Sequence, residues 1–290
     1  MIGFPRILFP VDFSERCAAS VPAVKAMAKR FGSEVVVQHV IDLPPVWYGS
    51  PEASAWSALI NADQLRLQGR IALERFIERE FAGVPVTAQL DEGDAALQIV
   101  DYAQDDGAGL IMMPTSGHGP FLALLLGSVT AKVLHDAHCP VWTGVHAEEI
   151  KAHPPERWKR MLCALEGESR DLCVLRWAAE FAGEQGLDLR LVHAVRGANG
   201  AIGKESEPGM YDFLFDVARE QVAGLQREAG TNFEVCCLAG TPGRVVRQAA
   251  TGHESDLVVI GRGVMQQPLG RLRSSAYSII REAPCPVISV

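Results

Sequence analysis

Four short segments of this chain occur twice, in the same order. Arg6-Ile-Leu-Phe-Pro-Val-Asp12 returns as Arg160-Met-Leu-Cys-Ala-Leu-Glu166, and Val37-Gln-His39-Val40 returns as Leu191-Val-His193-Ala194. Gly109-Leu-Ile-Met-Met-Pro114 returns as Asp256-Leu-Val-Val-Ile-Gly261, and Ala137-His-Cys139-Pro-Val141 as Ala283-Pro-Cys285-Pro-Val287. A chain of 290 residues is then two domains of one plan, and any fold must be satisfied twice. The repeat and the composition between its copies predict a first domain at 1–146, a polar linker with two prolines at 147–156, and a second domain at 157–290.

Within one copy, short β-branched apolar runs alternate with longer helical patterns, the signature of βαβ units and a parallel sheet. In the first copy a strand at 6–12 precedes a helix that Ser14 can cap and Gly32 can stop, although Pro22 should kink it or delay its start. A strand follows at 34–41, and then an irregular stretch. A helix over about 57–81 carries an apolar face of Leu65, Ile71, Leu73, Phe76 and Ile77. A strand at 84–90, a helix at 94–105, a strand at 109–114, a glycine-containing loop, a helix at about 127–137 and a strand at 140–145 complete the copy. The fold class is α/β, with two doubly wound, five-stranded parallel-sheet domains. In such sheets ligands sit beyond the carboxyl ends of the strands, where strand order reverses. Residues 12–14 and 114–128 flank that point.

There, Pro114-Thr115-Ser-Gly117-His118-Gly119 leads to Gly127-Ser128 and the opening of a helix. Glycines let backbone amides approach an anion, and a helix N-terminus adds about half a positive charge, so the pattern has the chemistry of a phosphate cradle. The same glycines also suit a tight strand-to-helix turn with no ligand at all.

On these residues the whole chain is similar to a tandem universal stress protein, with the adenine nucleotide alpha hydrolase-like fold. ATP-binding members of that family carry Gly-x2-Gly-x9-Gly-Ser/Thr after the fourth strand, an Asp ending the first strand, and a Cys-Pro-Val-type last strand. Gly117, Gly127, Ser128 and Asp12 match, whereas Pro114 occupies the first glycine position and has no N–H to offer. The resemblance implies that Asp12 contacts the sugar or base and that the backbone of Val40 meets the adenine edge. It further implies that Pro114, Thr115, Gly117, His118, Gly119, Gly127, Ser128 and Val129 surround the phosphates of ATP or AMP, with Mg²⁺ accompanying ATP. In that family domains pair through their last strands, so Val141–Val145 and Val287–Val290 are expected to join into an intramolecular pseudo-dimer, and two chains can form a homodimer. Other roles stay open: Asp12 can cap the next helix, Val40 can be plain core, and His118 has no acid placed to make it a base.

The second copy departs further. Glu166 stands for Asp12, and Arg273-Ser274 for Gly127-Ser128. Arg262, Arg271 and Arg273 make its loop basic, yet the favoured reading has them solvated or paired with Glu282 and its neighbours. The second site is read as degenerate. His39 and His193 occupy equivalent positions, which favours packing over ligation. Trp47, Tyr48 and Trp56 form an aromatic group suited to a partner or a ligand lid, or to covering the sheet.

A net charge of −8 disfavours nucleic acid as a partner, and no polybasic segment favours a membrane. Seven cysteines without a Cys-x-x-Cys pair read as reduced thiols, and the N-terminus lacks a signal-peptide pattern, so a cytoplasmic location is expected. The phosphate-loop, dinucleotide and nucleophile-elbow signatures are absent. The expectation is an adenine-nucleotide sensor or regulator rather than a catalyst. A nucleotide-free scaffold is the alternative and a slow ATPase the third.

Overall fold

The computed structural model describes residues 2–42, 51–115, 126–144, 158–195, 209–262 and 274–290, with the side chains of 51–61 and 274 left aside. In the first repeat the order is β1 (Arg6–Pro10), α1 (Glu15–Phe31), β2 (Glu34–Ile41), α2 (Pro51–Glu80), β3 (Val86–Glu92), α3 (Ala95–Asp105), β4 (Leu110–Met113), α4 (Ser128–Asp136) and β5 (Val141–Thr143). The second repeat follows the same plan with β6 (Arg160–Leu165), α5 (Asp171–Gln185), β7 (Asp188–Val195), α6 (Met210–Ala229), β8 (Val235–Ala239), α7 (Pro242–Gly252), β9 (Leu257–Ile260), α8 (Ser274–Glu282) and β10 (Val287–Ser289).

Local chemistry accounts for the element ends. Ser14 Oγ accepts from Cys17 N at 3.2 Å and starts α1, while Gly32 ends it in the left-handed region at φ 64°. Pro22 neither delays nor ends α1: it lies inside the helix on an exposed face, where its ring meets solvent. Helix α2 buries Leu73 and Phe76 as expected, but Ile71 points outward at 37% exposure.

The strands form one sheet in the order β3-β2-β1-β4-β5-β10-β9-β6-β7-β8. Within each repeat the chain fills positions outward from β1 or β6 in both directions, so order reverses between β1 and β4 and again between β6 and β9. Both β4 and β9 are wholly buried runs, LIMM and LVVI, as strands covered on both faces must be.

The two five-stranded halves meet at β5 and β10, the one antiparallel pairing among the described residues, with Val287 opposite Thr143, Ile288 opposite Trp142 and Ser289 opposite Val141. Each half would otherwise expose a short apolar edge; joining them leaves β3 and β8 as the outer edges. The cores on both faces of the sheet run through the join. Phe4 and Phe31 of the first repeat lie 6.1 Å from Phe181 of the second, and Arg30 Nε donates to Gln185 Oε1 at 2.8 Å.

Candidate functional site

At the first reversal point, β1 and β4 are neighbours, with Leu8 opposite Ile111, so Asp12 and Pro114-Thr115 leave adjacent strand ends. Asp12 is half-buried, and its Oδ1 accepts from the backbone of Ser14 at 3.0 Å. Capping of α1 is therefore left to Ser14 itself, and Asp12 braces the turn before it. Val40 sits half-buried near the end of β2, opposite Asp91 of β3, and packs against the second face's core.

Beyond β4, Pro114 O accepts from Thr130 Oγ1 at 3.2 Å and Thr115 O accepts from Gly127 N at 2.8 Å. These bonds tie the residues just after β4 to the start of α4. Gly117, His118 and Gly119 lie outside the described residues, as do Trp47, Tyr48 and the side chain of Trp56. Gly127 is the N-cap of α4, at φ −62° and ψ 148°. That conformation is open to any residue, including the Ser or Asp that would cap the helix, so the glycine is not required by the backbone. Its lack of a side chain leaves the amides of Ser128, Val129 and Thr130, the first turn of α4, without a side-chain cap.

One further contact at this cradle was not legible in the sequence. The hydroxyl of Tyr277, on α8 of the second repeat, accepts from Leu126 N at 3.2 Å. The second repeat thus holds the residue just before Gly127.

The second reversal point has different chemistry. Glu166 bonds Arg170 at 3.0 Å, and Arg170 also pairs with Glu168. Asp171, 5% exposed, accepts from the amides of Glu166, Gly167 and Glu168 at 2.7, 2.8 and 3.1 Å. The loop amides are filled from within by a carboxylate. Burial pushes the Asp171 carboxyl above the usual range, against the three amides that draw it down.

Arg262 corrects the sequence reading: it is neither solvated nor paired with Glu282. Its guanidinium donates to Ala137 O at 2.8 Å and Cys139 O at 3.0 Å, the carbonyls just past the end of α4 in the other repeat. Glu282 bonds Arg281 instead, at 3.0 Å. Burial draws the Arg262 pKa down from its ordinary value. Arg271 and Arg273 lie outside the described residues.

The two histidines do structural work in common. His39 Nδ1 meets Val11 O at 2.9 Å and His193 Nδ1 meets Leu165 O at 3.0 Å, each ring bridging two adjacent strands. A cleft of about 1680 Å³ opens over the carboxyl ends of β6, β7 and β9 and reaches α3 and α4 of the first repeat. Among the described residues no group of three or more His, Cys, Asp or Glu side chains is placed to hold a metal ion, and no helix is long and apolar enough to cross a membrane.

Comparison with known proteins agrees with this architecture. Universal stress protein Rv2623 of Mycobacterium tuberculosis is 27% identical over 247 residues, covering 81% of each chain. Universal stress protein MJ0531 of Methanocaldococcus jannaschii is 32% identical over 139 residues, covering 48% of this chain and 80% of that protein. A crystal structure of a universal stress protein from Archaeoglobus fulgidus aligns over 98% of this chain and 95% of its own at a TM-score of 0.60, with 22% identity, and shares the fold. The profile of the Universal stress protein family matches twice, over residues 3–143 and 157–290, and the chain therefore belongs to the universal stress protein family, with two such repeats in tandem.

Proposed function

We propose that the first repeat binds an adenine nucleotide, ATP or AMP, at the β1/β4 reversal point, and that the protein acts as a nucleotide-responsive regulator rather than a catalyst. One observation carries the reading: a glycine the backbone does not need sits at the N-cap of α4, leaving uncapped amides beside the strand end that bears Asp12. Three convergent N–H donors and the positive end of a helix favour a phosphate group. Asp12 would take the sugar or base, Val40 would border the adenine through its backbone, and Pro114, Thr115, Gly117, His118, Gly119, Gly127, Ser128 and Val129 would frame the phosphates. Mg²⁺ would arrive with ATP on its phosphate oxygens.

Isothermal titration of the whole chain with ATP and with AMP tests this. We expect one saturable site, abolished in Gly127→Asp, whose carboxylate would occupy the α4 amides and repel phosphate. No heat from any adenine nucleotide at high micromolar protein would overturn the reading.

A second reading is a nucleotide-free interaction protein. It is favoured by Pro114, which offers no amide, and by the Gly127 N–H, already committed to Thr115 O at 2.8 Å. Adenine nucleotide released from the purified protein on denaturation would exclude it.

A further inference from the structure

Helix α4 carries the amides on which nucleotide binding depends, and the second repeat reaches it at both ends. Before its start, Leu126 N donates to Tyr277 Oη of α8 at 3.2 Å. Beyond its end, Arg262, two residues after β9, donates to Ala137 O at 2.8 Å and to Cys139 O at 3.0 Å. Between those points α4 turns Ala131, Lys132 and His135 toward the cleft that Tyr277 and Arg262 also line. That flank borders a cavity, so the second repeat holds α4 there at two points and not along a packed face.

Each point has its own physical effect. Tyr277 Oη takes the amide one residue before the Gly127 N-cap, whose own N–H goes to Thr115 O at 2.8 Å. With both amides committed, the chain enters α4 along one path, and the amides of Ser128, Val129 and Thr130 keep one direction. Arg262 brings a positive charge and two N–H donors to the carbonyl end of α4, where the helix partial charge is negative. A planar guanidinium that spans two carbonyls resists rotation of that end as well as its displacement.

The grip runs in one direction. Counting along the repeat from Gly127-Ser128 and Arg273-Ser274, Tyr277 corresponds to Ala131. Arg262, next to Gly261, corresponds to Thr115, next to Pro114. Ala131 has no polar side-chain atom to offer α8, and a threonine hydroxyl has one donor where the guanidinium uses two. The first repeat therefore lacks the groups to return either contact. In the second repeat the β6–α5 loop amides are already taken by Asp171. The repeat with open amides is held, and the repeat with filled amides does the holding.

We propose that the second repeat is a built-in positioning unit for the phosphate cradle of the first, with Tyr277 and Arg262 as its positioning residues; this rests on the nucleotide reading above and extends it to control of the same site. Neither residue is assigned a contact with nucleotide. They keep α4 in the binding conformation before the ligand arrives, so that less of the binding free energy is spent on ordering it. Loss of one such bond should weaken phosphate binding about three- to tenfold, the range of a single hydrogen bond.

The test uses the full chain with Tyr277→Phe, which keeps the ring and drops the hydroxyl, and Arg262→Lys, which keeps the charge and drops the fork. In nucleotide-free protein, hydrogen exchange of the Leu126 amide should accelerate at least fivefold in Tyr277→Phe, while the amides of residues 166–168 keep their rates. By isothermal titration, ATP should bind each variant about three- to tenfold more weakly than the wild type. Adenosine, which has no phosphate to place on α4, should compete with ATP as well in the variants as in the wild type. If the wild type binds no ATP, the nucleotide reading itself fails. If the wild type binds ATP and both variants bind it equally well, or if Leu126 exchange is unchanged, the positioning role alone is overturned. Equal losses of ATP and adenosine affinity overturn it too, because the substitutions would then act on the fold at large and not on the phosphate helix.

Discussion

At residue scale, the two repeats differ in how they treat the same turn. In the first, Asp12 braces the turn after β1 through Ser14 and leaves the capping of α1 to that serine. In the second, Asp171 is drawn in under the turn and takes three amides. Removing that carboxylate leaves three part-buried amides without their acceptor at once, so Asp171→Ala should lose about 2–3 kcal/mol in urea unfolding, more than a single hydrogen bond is worth. Asp171→Asn keeps an acceptor and should lose less. Its deficit should also shrink as pH rises. A carboxyl whose folded pKa is raised contributes stability below its unfolded pKa and loses it as pH climbs through the folded value, while asparagine does not titrate. A deficit that grows between about pH 4 and pH 7 would show that the amides, not burial, dominate. The sequence exposed Glu166 as the counterpart of Asp12, but not Asp171, because the residue that fills the loop lies five positions away on the next helix. Phe13 was equally hidden: nothing in its local sequence announces a left-handed phenylalanine, which is held there by contacts with His39 and Phe76 from distant elements.

At the scale of elements, boundaries read from capping residues were the most accurate. Ser14 and Gly32 frame α1 as their chemistry requires, and the strand at 34–41 is found over the same residues. Strand ends without such punctuation moved by up to two residues, as in β3 and β5. Pro22 should kink α1 or delay its start on local grounds, but the helix begins at Glu15 all the same: an exposed proline inside a helix packed by Val21, Val24 and Met27 costs one backbone bond, and the buried face outweighs it. Ile71 failed for the opposite reason: period alone assigns it to the apolar face of α2, while contact with the sheet selects Leu73 and Phe76. Helix α4 was legible in position and in its open N-terminus, though not in its link to Arg262 at the other end. If Gly127 is retained for a ligand and not for folding, Gly127→Asp should gain a few tenths of a kcal/mol in thermal unfolding, up to about 1 kcal/mol, while losing nucleotide. A variant that loses both stability and binding would instead mark the glycine as structural.

At the scale of the molecule, duplication was the strongest signal in the sequence, and the structure turns it into a continuous ten-stranded sheet. The join is short, three residues on each side, yet fully buried, with Ile288 at 0% exposure and Thr143 Oγ1 donating to Val287 O at 3.3 Å. Because both cores cross it, the wild-type chain should unfold in one calorimetric transition. Ile288→Asp places a charge in that seam, and should lose about 3–5 kcal/mol and resolve two transitions, one for each repeat. A variant that still melts in one step would mean that the helical contacts, not the strands, couple the halves. The cross-repeat bonds of Arg262 and Tyr277 were invisible in the sequence because they join residues more than a hundred positions apart at an interface that exists only after both repeats fold.

The most direct measurement of the central claim is the amide spectrum of ¹⁵N-labelled protein during a titration with ATP. The account predicts that the resonances of Ser128, Val129 and Thr130 shift first and saturate together, with those of residues 166–168 unmoved. If the α4 amides stay in place while ATP binds elsewhere, or if no resonance moves at all, the first-repeat cradle is not a phosphate site.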